Sequence, residues 1–265
     1  MKNIVIDGHL HIYPFYDYAL ALKTLFNALD NVAMPFLEPG ETPVRIALMA
    51  ERRDCKFFRD LPTRNSGFKI EHLDSNWAML SDHKFGEHLY ILPGRQIVTA
   101  ERIEVLALTV ESDVPDGLPV KQVLNMLKDY QAIPVLAWAP GKWFFTRGNL
   151  VSSLLTENEP GSFLLGDTSL RPIGWPIPKL MQQGHSLGYK VIAGSDPLPA
   201  FGEERMAGAY GIHVKTWFDP DDPVTSVRKI LSDNTVVPQF VGRRCGPVQV
   251  FNRLRRHKQS GPRRK

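Results

Sequence analysis

The chain has 265 residues, of which 43% are hydrophobic. This length and apolar content fit one large α/β domain or two small ones, and they exclude disorder over most of the chain. No stretch approaches the roughly 20 apolar residues of a membrane span, and residues 1–10 lack the basic and apolar regions of a signal peptide. The two cysteines, Cys55 and Cys245, form no disulfide framework, so we expect a reducing, cytoplasmic location.

The basic residues are unevenly distributed along the chain. Nine of the 32 Lys and Arg lie in residues 243–265, which contain no acid, so 23 bases face 28 acids elsewhere and the body is near −5. We therefore divide the chain into one domain at 1–242 and a basic C-terminal tail at 243–265. The tail is expected to be solvated and frayed, and nucleic acid is not expected as a partner except through it.

Apolar runs alternate with amphipathic stretches along the domain, as is typical of parallel α/β proteins. The sequence predicts strands at 4–11, 44–50, 89–99, 103–110, 134–139, 162–166, 189–193 and 211–218. Helices are predicted at 18–29, 119–130, 150–155, 177–187 and 223–232. Gly188 is expected to end the fourth of these helices, and Asp222 to cap the fifth.

These elements favour a (β/α) barrel, distorted and TIM-like, with seven or eight strands. A closed ring is preferred to an open sheet because it lets strands far apart in sequence deliver side chains to one point. Residues 51–88 are rich in charge and poor in apolar runs, so they are interpreted as an insertion or an elaborate loop over the barrel mouth.

The first predicted strand ends in Asp7-Gly8-His9-Leu10-His11. Side chains on a strand alternate faces, so His9 and His11 point to the same side and can share one metal ion. Asp7 lies on that face and is placed to orient a histidine without binding the metal itself. The alternative is a pair of surface histidines in a turn.

A second candidate ligand, Asp196, follows the strand at 189–193 in the sequence Gly194-Ser195-Asp196-Pro197. With His9 and His11 it would give three protein ligands and one open position, which is the arrangement of a catalytic zinc site. Asp196 could also accept the proton of an activated water. Alternatively it only shapes the turn, a common role for aspartate before proline.

The motifs at 7–11 and 193–197 resemble the first and last metal motifs of the amidohydrolase and PHP (polymerase and histidinol phosphatase) superfamilies. The middle of the chain is more similar to PHP proteins, in the order and spacing of its segments 92–99, 103–108 and 134–141. The resemblance covers about residues 1–240, and it implies a barrel with a metal centre that hydrolyses phosphoesters.

The chain departs from the PHP pattern at several positions. Gln96 stands where the family has a metal-binding glutamate, Ala139 where it has a histidine, and Leu198 where a second histidine usually follows the aspartate. Glu104 stands at another histidine position. The resemblance therefore implies one metal, held by His9, His11 and Asp196 with or without Glu104, or no metal. Imidazole and carboxylate ligands suit Zn²⁺, Mn²⁺ or Fe²⁺.

Other side chains could complete the site. Glu104 is a candidate catalytic carboxylate that requires a partner on an apolar strand, or else it is a surface residue. Lys142, Arg147 and Arg171 follow strand ends and could bind a small anionic substrate, although single cations of this kind are commonly surface charges. An aromatic group is typical of a substrate pocket, a homo-oligomer contact or loop packing: Trp138, Trp143, Phe144 and Phe145.

The sequence supports a metal-dependent hydrolase that acts on a phosphoester through an activated water. The alternatives are an amidohydrolase that cleaves a C–N or lactone bond, and a non-catalytic barrel whose metal site has decayed and which serves binding or assembly. Nucleotide-binding glycine motifs and a serine-nucleophile motif are absent from the sequence.

Overall fold

The computed structural model describes residues 1–64, 66–83 and 86–260, and it forms an α/β fold with two mixed sheets. The strands are β1 Lys2–Leu10, β2 Val44–Met49, β3 Lys69–Leu73, β4 Ala78–Ser81, β5 His88–Leu92, β6 Gly94–Val98, β7 Glu104–Leu108, β8 Ile133–Ala137, β9 Leu164–Thr168, β10 Val191–Gly194, β11 Tyr210–Thr216 and β12 Gln239–Gly242. The helices are α1 Tyr18–Ala33, α2 Phe57–Asp60, α3 Val120–Asp129, α4 Thr146–Glu157, α5 Lys179–Ser186, α6 Pro223–Ser232 and α7 Pro247–Ser260. Short 3₁₀ helices lie at Met34–Phe36, Leu61–Thr63 and Glu203–Met206.

The first sheet has seven strands in the order β12-β11-β1-β2-β5-β4-β3. β1 lies inside it, parallel to β2 and antiparallel to β11. Apolar residues occupy both faces of β1, since Val5 packs towards α1 while Ile4 and Ile6 face the second sheet. The first strand is therefore buried on both sides, which fixes the position of the histidines at its end.

The second sheet has five strands in the order β10-β9-β8-β7-β6. β8, β9 and β10 are parallel, whereas β6, β7 and β8 are antiparallel neighbours. Helices α3, α4 and α5 cover its outer face, and its inner face shares a hydrophobic core with the first sheet. The two sheets thus face each other across one layer of buried side chains.

The predicted barrel is wrong. The two sheets are hydrogen-bonded separately in the described part of the chain, and they do not close into a ring. The single strand predicted at 89–99 is divided at Pro93, which has no N–H to donate, and its halves β5 and β6 belong to different sheets. The antiparallel connections around β6 and β7 also lack the helical crossovers that a (β/α) barrel requires.

The charged segment 51–88 contains more regular structure than an elaborate loop. β3 and β4 form an antiparallel hairpin that extends the first sheet beside β5. Asn65, Lys84 and Phe85 of this segment lie outside the described residues. The predicted helix boundaries at Gly188 and Asp222 are confirmed: Gly188 has a φ of +93° just after α5, and the side chain of Asp222 accepts the N–H of Thr225 at 3.1 Å.

The prediction of a frayed terminus is wrong for residues 247–260, which form α7. Arg253 is 1% exposed, and its guanidinium donates to both carboxylate oxygens of Glu203 at 2.7–3.1 Å. The same group donates to Ser169 Oγ at 2.9 Å and to the main-chain oxygen of Asp196 at 3.0 Å. These hydrogen bonds help to anchor α7 on the body of the protein. Residues 261–265 of the predicted tail lie outside the described residues.

Within the described ranges, no helix combines the length and the apolar character that a membrane crossing would need.

We expect Arg253→Met to lower the free energy of unfolding by about 3–5 kcal/mol, because it leaves Glu203 as a buried charge without its partner. Urea unfolding measures the change. Arg255→Met, on the exposed side of the same helix, is the matched control and should stay within about 0.5 kcal/mol of the unaltered protein. Equal stability of the two variants would show that the ion pair does not anchor α7.

Candidate metal centre

His9 and His11 lie at the carboxyl end of β1, where each is 3% exposed. Their Nε2 atoms are 3.0 Å apart, so both rings point to one spot, as strand alternation predicts. His9 Nδ1 is buried and has no hydrogen-bond partner among the described residues. Two buried imidazoles whose Nε2 atoms lie this close together can coordinate one metal ion.

Asp196 reaches the same spot from the loop after β10. Its main-chain N–H donates to the carbonyl of His9 at 2.9 Å, and its Oδ1 lies 3.8 Å from His9 Nε2 and 3.7 Å from His11 Nε2. The φ of Asp196 is +48°, in the left-handed region that non-glycine residues rarely adopt. Such a backbone persists only when its surroundings determine it. Here the hydrogen bonds from Arg253 to the Asp196 carbonyl and from Asp196 to His9 hold it.

Asp7 connects the two ligand-bearing segments. Its carboxylate accepts the N–H of His9 at 3.2 Å, of Ser195 at 2.9 Å and of Gly208 at 3.0 Å, and it also accepts the hydroxyl of Ser195. Asp7 therefore orients the main chain around the ligands, whereas the sequence suggested contact with an imidazole. Burial raises the pKa of Asp7 above its ordinary value, against the lowering effect of these hydrogen bonds.

The potential ligand atoms of His9, His11 and Asp196 are spaced as the ligands of one metal ion would be. Two ligand atoms about 2.1 Å from a tetrahedral ion are roughly 3.4 Å apart. The separations among His9, His11 and Asp196 are 3.0, 3.7 and 3.8 Å, and Gln96 Oε1 lies 3.3 Å from His9 Nε2. In the described residues, these three acidic and imidazole side chains form the one convergent group of potential ligands. The donor set fits a divalent ion.

The electrostatic surroundings favour the ligand form of the His11 imidazole. Burial lowers the pKa of His11 well below its ordinary value, and the neighbouring His9 and Arg52 lower it further. A neutral imidazole keeps a lone pair for a metal at neutral pH. Burial raises the pKa of Asp196, while His9 acts in the opposite direction. A bound cation would offset the cost of keeping this carboxylate ionised.

A pocket of about 700 Å³ opens from the candidate metal centre. The positions at which the chain departs from the PHP pattern lie together on its wall, namely Gln96, Glu104, Ala139 and Leu198. The side chains of Ala139 and Leu198 supply no donor atoms to this wall. Helix α7 closes another side of the pocket through Leu254 and His257.

Glu104 and Lys142 face each other in this pocket. Lys142 Nζ lies 2.7 Å from Glu104 Oε1, and both side chains are partly exposed. Glu104 thus has the cationic partner that its apolar strand requires, and it lies outside the group of three potential metal ligands.

Arg147 and Arg171 do not line this pocket. Arg147 donates to the Gly141 carbonyl at 2.7 Å. Arg171 is buried and pairs with Asp167 at 2.6 Å. Of the three cations expected to bind substrate, only Lys142 therefore borders the candidate centre.

Sequence reasoning missed Arg253 and His257, because basic composition suggested a solvated tail. The helical spacing of Val250, Arg253, Leu254 and His257, at i, i+3, i+4 and i+7, marks the face of α7 that packs inward. Arg52 and Tyr13 also line the pocket and were not predicted.

We expect Asp7→Ala to lower the free energy of unfolding by about 3 kcal/mol or more, since several buried donors would each lose an acceptor at about 1–3 kcal/mol. The loss for Asp7→Asn, which keeps one acceptor oxygen, should lie between zero and the loss for Asp7→Ala. Urea unfolding with an unchanged m value measures the loss. Asp54→Ala is the control, because that carboxylate is 67% exposed. A loss no larger than that of the control would show that Asp7 does not hold the end of β1 to the loop after β10.

No protein-family model and no curated protein matches the chain. Among solved structures, PsfC from Pseudomonas syringae PB-5123 is similar with a TM-score of 0.58 and 14% identity, over 98% of this chain and 99% of that one. The lesion-specific endonuclease PfuEndoQ from Pyrococcus furiosus has a TM-score of 0.49 and 10% identity, over 89% of this chain and 57% of that one. Endonuclease Q in complex with a 27-mer duplex that carries an abasic lesion has a TM-score of 0.42 and 8% identity, over 87% of this chain and 56% of that one. The likeness to PsfC shows a common fold.

Proposed function

We propose that the protein is a metal-dependent hydrolase that holds one divalent ion, Zn²⁺, Mn²⁺ or Fe²⁺, and acts on a phosphoester. The observation that carries the proposal is the convergence of two buried imidazoles and the Asp196 carboxylate on one point at the base of a large pocket. A divalent ion bound there would polarise the ester and lower the pKa of water.

The protein's own residues have separate roles in this proposal. Asp196 accepts the proton of the attacking water, because its carboxylate stands at the centre with one face towards the pocket. Lys142 binds the substrate's anionic group, and Glu104 positions that lysine through the ion pair. The apolar side chains of Leu198 and Leu254 form another part of the pocket wall, against which the substrate would pack.

The preference for a phosphoester has two supports. The segments 92–99, 103–108 and 134–141 resemble the PHP pattern in order and spacing, and the family positions at Gln96, Glu104, Ala139 and Leu198 gather on the wall of one pocket. We therefore propose a distant relationship to the PHP superfamily. An amide or lactone substrate remains the alternative, since the same ligands serve amidohydrolases.

A non-catalytic role is the second candidate, and a specific observation favours it. Gln96 places a neutral amide 3.3 Å from His9, where the PHP pattern has a charged ligand. A weaker centre of this kind could bind metal or anion without turning over a substrate.

Hydrolysis of model phosphomonoesters, phosphodiesters, amides and lactones, with Zn²⁺, Mn²⁺ or Fe²⁺ added, tests the proposal. We expect phosphoester turnover, and we expect Asp196→Asn to reduce it by about 100-fold or more while the fold persists. Asp54→Asn is the matched control, since Asp54 lines the same pocket but is exposed. Equal activity of the two variants would contradict the role of Asp196.

We also expect His9→Ala with His11→Ala to abolish metal binding, measured by competition with a chromophoric chelator. Metal bound by the unaltered protein without turnover of any ester, amide or lactone would favour the non-catalytic role.

A further inference from the structure

A series of aromatic rings leads from the candidate metal centre to the protein surface. The ring of His11 stacks on Tyr13 at a centroid distance of 5.5 Å, and Tyr13 stacks on Phe15 at 5.7 Å with an interplanar angle of 15°. Phe15 then meets Phe201 at 5.2 Å. The first two rings are buried, so the series connects the interior of the site with solvent.

The outer two rings are exposed, Phe15 by 44% and Phe201 by 76%. We call these two residues the aromatic platform. Each lies two residues from a residue that lines the pocket, Tyr13 and Pro199 respectively. The platform therefore stands at the rim of the pocket, and the large exposed fraction of Phe201 shows that this ring contributes little to the core.

Cations lie on the pocket wall and close to the turn that carries Phe201. The guanidinium carbon of Arg52 is 5.8 Å from the Tyr13 ring centroid, and Arg53 and Lys142 line the pocket. On the other side, Arg256 Nη1 lies 4.0 Å from the place that a Cβ on Gly202 would occupy. Aromatic faces next to cations are how proteins hold nucleotides, because bases stack on the rings and phosphates pair with the charges.

We propose that the aromatic platform stacks a nucleobase, so that the phosphoester at the metal centre belongs to a nucleotide. The nucleotide is either free or part of a single strand, since both offer the same base and phosphate. The assignment of the phosphate rests on the proposed function, whereas the base site rests on the rings. A docked protein is disfavoured, because two phenylalanine side chains fall well short of the roughly 800 Å² that each partner of a stable complex buries.

The test compares two ligands that differ only in the base. Adenosine 5′-monophosphate and ribose 5-phosphate are titrated into chelator-treated protein, where metal-dependent turnover is stopped. We expect the nucleotide to bind about tenfold more tightly, as one base–aromatic stack provides. Phe201→Ala and Phe15→Ala should remove that preference, and Phe201→Trp should keep it. Phe240→Ala is the matched control, since Phe240 is 44% exposed, as Phe15 is, on β12 at the sheet edge.

The outcomes separate the platform from the proposed function. Equal binding of the two ligands, or a preference that survives both alanine variants, overturns the platform even where the metal-loaded protein hydrolyses phosphoesters. A preference that both variants remove supports the platform even where the metal-loaded protein hydrolyses nothing. A 5′-phosphorylated oligothymidylate that binds more tightly than thymidine 5′-monophosphate identifies a strand as the ligand, and equal binding identifies the free nucleotide.

Discussion

The candidate site depends on the buried carboxylate of Asp7. This group accepts hydrogen bonds from His9, from Ser195 and from Gly208, and thereby holds the end of β1 against the loop after β10. The first strand belongs to one sheet and β10 to the other. Asp7 therefore brings potential ligands from two separately bonded sheets to one point, and its full burial strengthens its hydrogen bonds.

Close backbone approach completes this constraint. A Cβ at Gly194 would stand 2.3 Å from the His9 nitrogen, so the strand that delivers Asp196 can contact β1 only through a glycine. The loop that follows is then fixed by Arg253 from α7, which bonds the Asp196 carbonyl. Three distant parts of the chain thus determine the unusual backbone of a single aspartate. Its strain is concentrated where the chemistry is proposed.

The sequence predicted the part of the site that depends on local geometry. The spacing of His9 and His11 follows from strand alternation, and Asp196 follows from a strand that ends in Gly-Ser-Asp. The prediction of a barrel was wrong, because strand alternation and helix spacing do not determine which strands pair. The break at Pro93 places β5 and β6 in different sheets. The basic composition of the C-terminal residues predicted a solvated tail. The packing of α7 was therefore missed, since the central residue of its inward face, Arg253, is itself charged.

The central claim is that His9, His11 and Asp196 bind one divalent ion. Crystals grown with Zn²⁺ and measured for anomalous scattering at the zinc absorption edge test it most directly. We expect a single strong peak about 2.0–2.2 Å from His9 Nε2, from His11 Nε2 and from an Asp196 carboxylate oxygen. A map with no peak at this point, in protein whose Asp196 carboxylate turns away from both histidines, would contradict it.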